Sequence, residues 1–361
     1  MAKFSLGNQV LNWKKLLNLE KPLVIGLDIG SSAVRMVQLQ KDNGSYTVTS
    51  AVVAEVENTM QNNMTDKDKG SVTAIRQCID SAGIQTRYAV CGVSGPEVAV
   101  RPFKFPALPL EEVEGAVRLE AAQVCPFNVD DAAVDYQLMS DPDDTASVSG
   151  IFVAATNKLI RRKKQLVASA LLDCVLIDVD SLAILNCFTE CEKRQLHRST
   201  VAILNVGCTS TNLTIMGDNG RPFIREMQYA GNDIIKDIAQ EHNLSPEAVA
   251  KALHSNDNSN LPKFDDSLSK ACRKLAASVT ETLRFYTAQE KAAAVHEIFV
   301  CGGFSLAAGF IEALGGQLSA KAVLWNPFEK MHFQANEQCR RNLEKNGPAM
   351  AVAAGLAMRS L

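Results

Sequence analysis

Val24-Ile-Gly-Leu-Asp28-Ile-Gly30-Ser-Ser-Ala-Val-Arg-Met-Val37, read beside Val201-Ala-Ile-Leu-Asn205-Val-Gly207-Cys-Thr-Ser-Thr-Asn-Leu-Thr214, decides the fold of this 361-residue chain. The two stretches align without a gap. Asp28 falls on Asn205, Gly30 on Gly207, and Ser31-Ser32 on Cys208-Thr209. An offset of 177 positions is close to half the chain, and self-similarity at that spacing reads as an internal duplication. Each copy runs from an apolar strand through a glycine turn with small hydroxyl residues into an alternating strand, the pattern of a β-hairpin. Glycine lets the backbone approach a ligand closely. Successive turn amides make a concavity for an anion, and Ser or Thr adds hydroxyl donors. An aspartate at the strand end can hold magnesium, usually through water. Two such hairpins facing each other would clamp a polyphosphate between two similar domains.

A third glycine element follows an apolar strand: Ile298-Phe-Val-Cys-Gly302-Gly303-Phe-Ser305. Ser305 reads as the N-cap of a helix running to about Leu314. A bare Gly-Gly backbone at a helix start suits a nucleotide's ribose and α-phosphate. Two further segments, Ile177-Asp178-Val-Asp180-Ser-Leu-Ala-Ile-Leu185 and Gly347-Pro-Ala-Met-Ala-Val-Ala-Ala-Gly355-Leu-Ala-Met358, read as paired helices whose small residues allow close approach.

Composition sets the outer limits. Hydrophobic residues make up 47% and charged residues 21% of the chain, ordinary for a globular protein and wrong for a disordered or fibrous one. A formal net charge of −3 supplies no global positive field for nucleic acid. The ten cysteines contain no CxxC pair, so a zinc site is not indicated and reduced thiols of a cytoplasmic protein are expected. No apolar run reaches about 18 residues, the length a spanning helix needs.

In this order the five elements resemble the actin-like ATPase superfamily: phosphate-1 (Asp28 to Ser32), connect-1 (Asp178 to Ala183), phosphate-2 (Asn205 to Thr211), adenosine (Gly302 to Ser305) and connect-2 (Gly347 to Ala357). Within it the chain is similar to the FtsA/PilM branch, and most to the PilM family of type IV pilus assembly. Arg101-Pro-Phe-Lys-Phe-Pro-Ala-Leu-Pro109, Glu111-Glu-Val, Arg118-Leu-Glu120-Ala-Ala-Gln, Cys125-Pro126-Phe127, Val134-Asp135-Tyr136-Gln137 and Phe152-Val-Ala-Ala155-Thr-Asn-Lys resemble the 1C subdomain which that branch inserts into its first half.

The resemblance implies an α/β, actin-like (ribonuclease H-like), two-lobed fold with duplicated domains. It places an N-terminal extension at 1–21, a first lobe at 22–198 with 1C at about 95–165, and a second lobe at 199–346 with 2B at about 232–271. Residues 347–361 return to subdomain 1A as a C-terminal helix. It implies ATP and Mg2+ held by Asp28, Gly30, Ser31, Ser32, Arg35, Asn205, Gly207, Cys208, Thr209, Gly231, Gly302, Gly303 and Ser305, with Asp28 toward the metal and no catalytic residue assigned. Its implied partners are the N-terminal cytoplasmic peptide of a PilN-type inner-membrane protein and other pilus motor components, not nucleic acid. Its implied place is the cytoplasmic face of the bacterial inner membrane, with membrane association through the partner. An FtsA-like division filament, a type II secretion platform component and a small-molecule kinase stay open as alternatives.

The departures from the family pattern concentrate at the nucleotide. Asn205 stands where phosphate-2 normally has aspartate, and an amide lacks the negative charge that favours magnesium. Ser278 and Glu281 replace a charged Glu-x-x-Arg pair near the sugar, and Cys208 replaces a more usual small residue. Weak or absent nucleotide binding, and at most weak ATP hydrolysis, are the expectation. Outside the motifs, Val10, Trp13, Leu16 and Leu17 fall at helical spacing and read as a terminal helix packed on the protein itself or a frayed tail, with an amphipathic helix that touches the membrane, Lys14 and Lys15 near lipid headgroups, as the alternative. Arg161-Arg-Lys-Lys164 reads as a solvated helix face, with an acidic partner or anionic lipid as the sharper alternative. His254 to Asp266 and Asp141 to Ser149 read as exposed loops.

Overall fold

The computed structural model describes residues 23–42, 44–57, 64–139, 146–192, 200–217, 220–254, 264–290 and 293–359. The readings of residues 1–20, and most of those for 141–149 and 254–266, therefore lie outside the described residues. The chain runs β1 (Ile25–Ile29), β2 (Ala33–Asp42), β3 (Ser45–Glu55), α1 (Met64–Ala82), β4 (Tyr88–Val93), β5 (Val98–Pro106), α2 (Leu110–Val124), β6 (Ala132–Met139), β7 (Ser147–Thr156), α3 (Asn157–Ser169), β8 (Asp173–Val179) and α4 (Asp180–Cys191). It continues with β9 (Val201–Val206), β10 (Thr211–Met216), β11 (Pro222–Met227), α5 (Gly231–His242), α6 (Pro246–His254), α7 (Asp265–Glu290), β12 (Glu297–Cys301), α8 (Phe310–Gly315), β13 (Lys321–Leu324), β14 (His332–Phe333), α9 (Glu337–Asn346) and α10 (Ala351–Ala357).

Two compact units result. The first holds the described residues up to Cys187 with Met331–Asn342 and those from Val352 onward. The second holds those of Phe188–Lys330 with Leu343–Ala351.

The first unit carries a six-stranded sheet in the order β14-β3-β2-β1-β4-β8. β2 is antiparallel to β3 and to β1, whereas β1–β4 and β4–β8 are parallel. The second unit carries β11-β10-β9-β12-β13, again antiparallel over its first two pairings and parallel over its last two. Five strands thus recur in the same order and sense, and the sequence repeat is a repeat of structure. The turns recur as well. Gly30 N–H donates to Ala33 O at 3.1 Å, and Gly207 N–H to Ser210 O at 3.0 Å.

Alternation builds the cores. Ile25, Leu27, Val34 and Met36 share a buried cluster with Ala74, Ile75 and Cys78 of α1 and Val167 of α3. Leu204, Val206, Leu213 and Ile215 do the same beneath α5 and α7. The inserted element of the first unit is a separate three-stranded sheet, β5-β7-β6. It is covered by α2, whose Val113, Val117 and Ala121 repeat every four residues and bury against Phe103 and Phe152.

The paired-helix reading holds for α4 and α10, with a change of boundary in each: Gly347 to Met350 form a 3₁₀ turn, and the second helix starts only at Ala351. Gly355 lies so close to α4 that a Cβ there would stand 2.0 Å from Ala183 O. However, Ile177 to Val179 belong to β8, so the helix starts only at Asp180. Apolar residues covered on both faces of a parallel sheet mimic a short buried helix in sequence.

Candidate functional site

In the first unit the site grows from the β1–β2 hairpin. Asp28 and Arg35 are direct partners across it, so their side chains leave the sheet on the same face. Arg35 Nη1 donates to Asp28 Oδ2 at 3.3 Å, and both side chains are largely buried. Arg35 Nε is buried without a partner. Ser31 and Ser32 occupy the turn, and Ser32 O accepts from Val56 N at 2.9 Å.

Three residues that the motif reading did not assign to the nucleotide join this corner. Asp180 opens α4, and Ser94 Oγ donates to its Oδ2 at 2.6 Å. Its other oxygen, Oδ1, is buried without a partner, over Gly92, where a Cβ would come within 2.0 Å of it. Burial pushes the Asp180 carboxyl up to about 7, the Asp28 charge pushes the same way, and Lys163 and the Ser94 hydroxyl oppose them. Lys163 Nζ meanwhile donates to Ile29 O at 3.1 Å. Asp28, Asp180 and Lys163 therefore form one electrostatic group. Two acids this close share charge unwillingly, so one holds its proton more tightly.

Lys163 also corrects the reading of Arg161 to Lys164 as a solvated face. Arg162 Nη2 pairs with Asp68 Oδ1 at 2.6 Å, and Lys163 turns back toward β1. Arg161 and Lys164 are the members of the run left exposed. A helix turns by 100° per residue, so four consecutive bases cannot share one face.

Asp178, two residues before Asp180, has a different role. Its Oδ2 lies 2.8 Å from Arg359 Nε, with both side chains almost wholly buried. Burial raises the Asp178 carboxyl's pKa even though Arg359 pulls it down.

In the second unit the sister hairpin collects a neutral set. The amides of Gly231 and Asn232, at the start of α5, donate to Gly207 O and Cys208 O at 3.0 and 2.9 Å. Those first helical amides are thus spent on the turn itself. Asn205 lies beside Gly302: a Cβ at Gly302 would stand 2.4 Å from Asn205 Oδ1, and its φ of +97° suits only glycine. Gly302 N–H donates to Pro348 O at 2.9 Å.

Ser305 is not the N-cap of a long helix. Its hydroxyl donates back to Gly302 O at 2.7 Å within a short 3₁₀ turn, Gly303–Leu306. Gly309, with φ of +74°, interrupts the chain before α8 begins at Phe310. On α7, Ser278 Oγ donates to Lys274 O at 3.2 Å. Glu281 lines a groove of about 430 Å³ with Arg273, Arg284 and Gln317. The structure thus gathers Asp28, Gly30, Ser31, Ser32 and Arg35 in the first unit, and Asn205, Gly207, Cys208, Thr209, Gly231, Gly302, Gly303 and Ser305 in the second.

The fit to a metal can be judged from donor chemistry. The first unit offers two carboxylates, one with an unpartnered buried oxygen, which is the oxygen chemistry Mg2+ takes. The sister position offers only an amide.

Comparison with known proteins bears on the whole chain. The family model described as type IV pilus assembly protein PilM matches residues 26–361. Among solved structures, the chain is similar to that of a PilM-PilN type IV pilus biogenesis complex, with a TM-score of 0.79 and 23% identity over 94% of this chain and 99% of that one. It is also similar to ethanolamine utilization protein EutJ from Carboxydothermus hydrogenoformans, with a TM-score of 0.56 and 12% identity over 94% and 90% of the two chains. A diol dehydratase-reactivating factor gives a TM-score of 0.55 and 11% identity over 92% and 98%. At these identities the structural likenesses establish the actin-like α/β fold alone. The family match, covering nearly every residue from the first strand onward, goes further: the chain belongs to the PilM family of type IV pilus assembly proteins.

Proposed function

We propose that this protein is a scaffold of type IV pilus assembly that binds the N-terminal cytoplasmic peptide of a PilN-type inner-membrane protein. It thereby sits at the cytoplasmic face of that membrane and relays to other pilus motor components. The observation that supports this most is the likeness over 94% of the chain to a PilM captured with PilN. No described helix is long and apolar enough to cross a membrane, which agrees with attachment through a partner. Fluorescence anisotropy with the labelled N-terminal peptide of the PilN-type protein encoded nearest this chain tests it. Saturable binding is expected. Absence of binding by the full chain, with membrane-associated filaments instead, would overturn the reading.

The nucleotide part of the proposal is asymmetric. Asp28, with Asp180 beside it, would hold Mg2+ through water, while the Gly30 to Ser32 turn would face phosphate. Asn205 would present a neutral carbonyl in the other hairpin. Bound Mg2+ supplies charge neutralisation at the phosphates. Asp28 and Arg35 position each other, and Ser94 fixes the Asp180 carboxyl. ATP binding is therefore expected to be weak and turnover slow. A titration with fluorescent ATP and Mg2+ checks this, and sub-micromolar affinity with steady hydrolysis would refute it. Asn205→Asp is expected to tighten Mg2+-dependent binding by about tenfold, the scale of one added charge-assisted contact.

A further inference from the structure

Helices α1 and α3 lie side by side in the first unit and leave a groove of about 570 Å³ between them. Its lining includes Lys69, Val72, Thr73 and Arg76 from α1, and Arg162 and Leu166 from α3. Val72 is half-buried and Leu166 buried, which gives the groove an apolar floor, whereas Lys69, Thr73 and Arg76 are exposed. The bases are held in place. Arg76 Nη2 donates to Ser169 O at 2.6 Å. Arg162 donates to Asp68 Oδ1 from Nε at 3.0 Å and from Nη2 at 2.6 Å. Asp68 is the sole acid among the lining residues, against Lys69, Arg76 and Arg162. Exposed Arg161 and Lys164 add positive charge on the same helix.

We propose that this groove docks a short acidic segment of a partner protein, with one apolar side chain over Val72 and Leu166 and carboxylates toward Arg76, Arg162 and Lys69. Charge complementarity selects the occupant. A net positive rim attracts carboxylates, and a guanidinium already aligned on Asp68 shows the geometry that a partner's carboxylate would use. Shape selects a peptide over a bilayer, since a flat lipid surface cannot fill a recess between two helices. Nucleic acid is disfavoured because the lining offers no aromatic ring for base stacking. From Asp68 to Arg76 the rim spans about 12 Å at 1.5 Å per residue, room for three or four extended residues. The lining shares no residue with the hairpin corner.

The test is an array of nine-residue peptides probed with the full chain. One set carries Glu and Asp around a single central Leu, a second is acidic without Leu, and a third carries Lys and Arg around Leu. The first set is expected to bind, with affinity falling as salt rises. Arg76→Glu and Thr73→Glu, each verified as folded by thermal melting, should both weaken it by about tenfold or more. The proposal is overturned if no acidic peptide binds, or if both variants bind like the wild type. It also fails if these variants lose binding only to phosphatidylglycerol vesicles, which would assign the patch to a lipid surface.

Discussion

At the scale of single residues, the two hairpins have kept one geometry and diverged in charge. Asp28 faces Arg35 and a second carboxyl, Asp180, whereas the equivalent Asn205 rests against Gly302. Asp180 carries a measurable consequence. In the folded chain its carboxyl holds a proton up to about pH 7, while an unfolded aspartate releases it near 3.8. The folded state therefore binds more protons between those values, and stability falls as pH rises across that window. Asp178 shifts in the same direction and is untouched by the substitution. Asp180→Asn is thus expected to lose less melting temperature than the wild type between pH 5 and pH 8. The difference should be on the order of 2 kcal/mol at the alkaline end. Thermal melts across that range check it, and parallel pH profiles would contradict it. Asp180 was hard to recognise from sequence. Its hydrogen-bond partner Ser94 is 86 positions away, and Lys163 sits in a basic run whose outer members, Arg161 and Lys164, are exposed. Asp28 and Gly30 were readable because the repeat marks them twice.

At the scale of elements, the same substitution changes sign with its surroundings. In α2, Gly115 is exposed, and a Cβ there meets nothing within 4 Å. Gly115→Ala should stabilise by about 0.5–1 kcal/mol through helix propensity alone. In α10, a Cβ at Gly355 would stand 2.0 Å from the backbone of α4, and that obstacle cannot rotate away. Overpacking costs about 1–3 kcal/mol or more and outweighs the propensity gain, so Gly355→Ala should lower the urea midpoint while Gly115→Ala raises it. Movement of both midpoints in one direction would refute this account of α4–α10 packing. Helices with a clear buried stripe, such as α2, could be read from spacing. The segment after Gly302 could not. Ser305 has the right residue type for an N-cap, but its hydroxyl turns back to Gly302 O and the left-handed Gly309 resets the chain. In β8, Ile177 to Val179 are all buried and so lose the alternation that marks a strand.

For the whole molecule, the legible fact was duplication, and the sheets bear it out strand by strand. Pairings that join distant pieces had no local signal: β14 on β3, or Arg359 on Asp178. That last pair sets a further expectation. Arg359→Ala leaves a buried carboxylate without its cation and should cost about 3–5 kcal/mol. Arg359→Ala with Asp178→Asn should recover part of it. A double-mutant cycle by urea unfolding measures the coupling, and additive losses would show that the pair contributes nothing as a pair. The same return of the chain governs how the protein can be instrumented. Leu23 and Arg359 both belong to the first unit, so dyes placed at these two positions ride on one body. They would stay silent through any displacement of the second unit. A reporter of such motion needs one of its probes within the described residues of Phe188–Lys330, where a label on the exposed rim of α7 leaves both hairpins untouched.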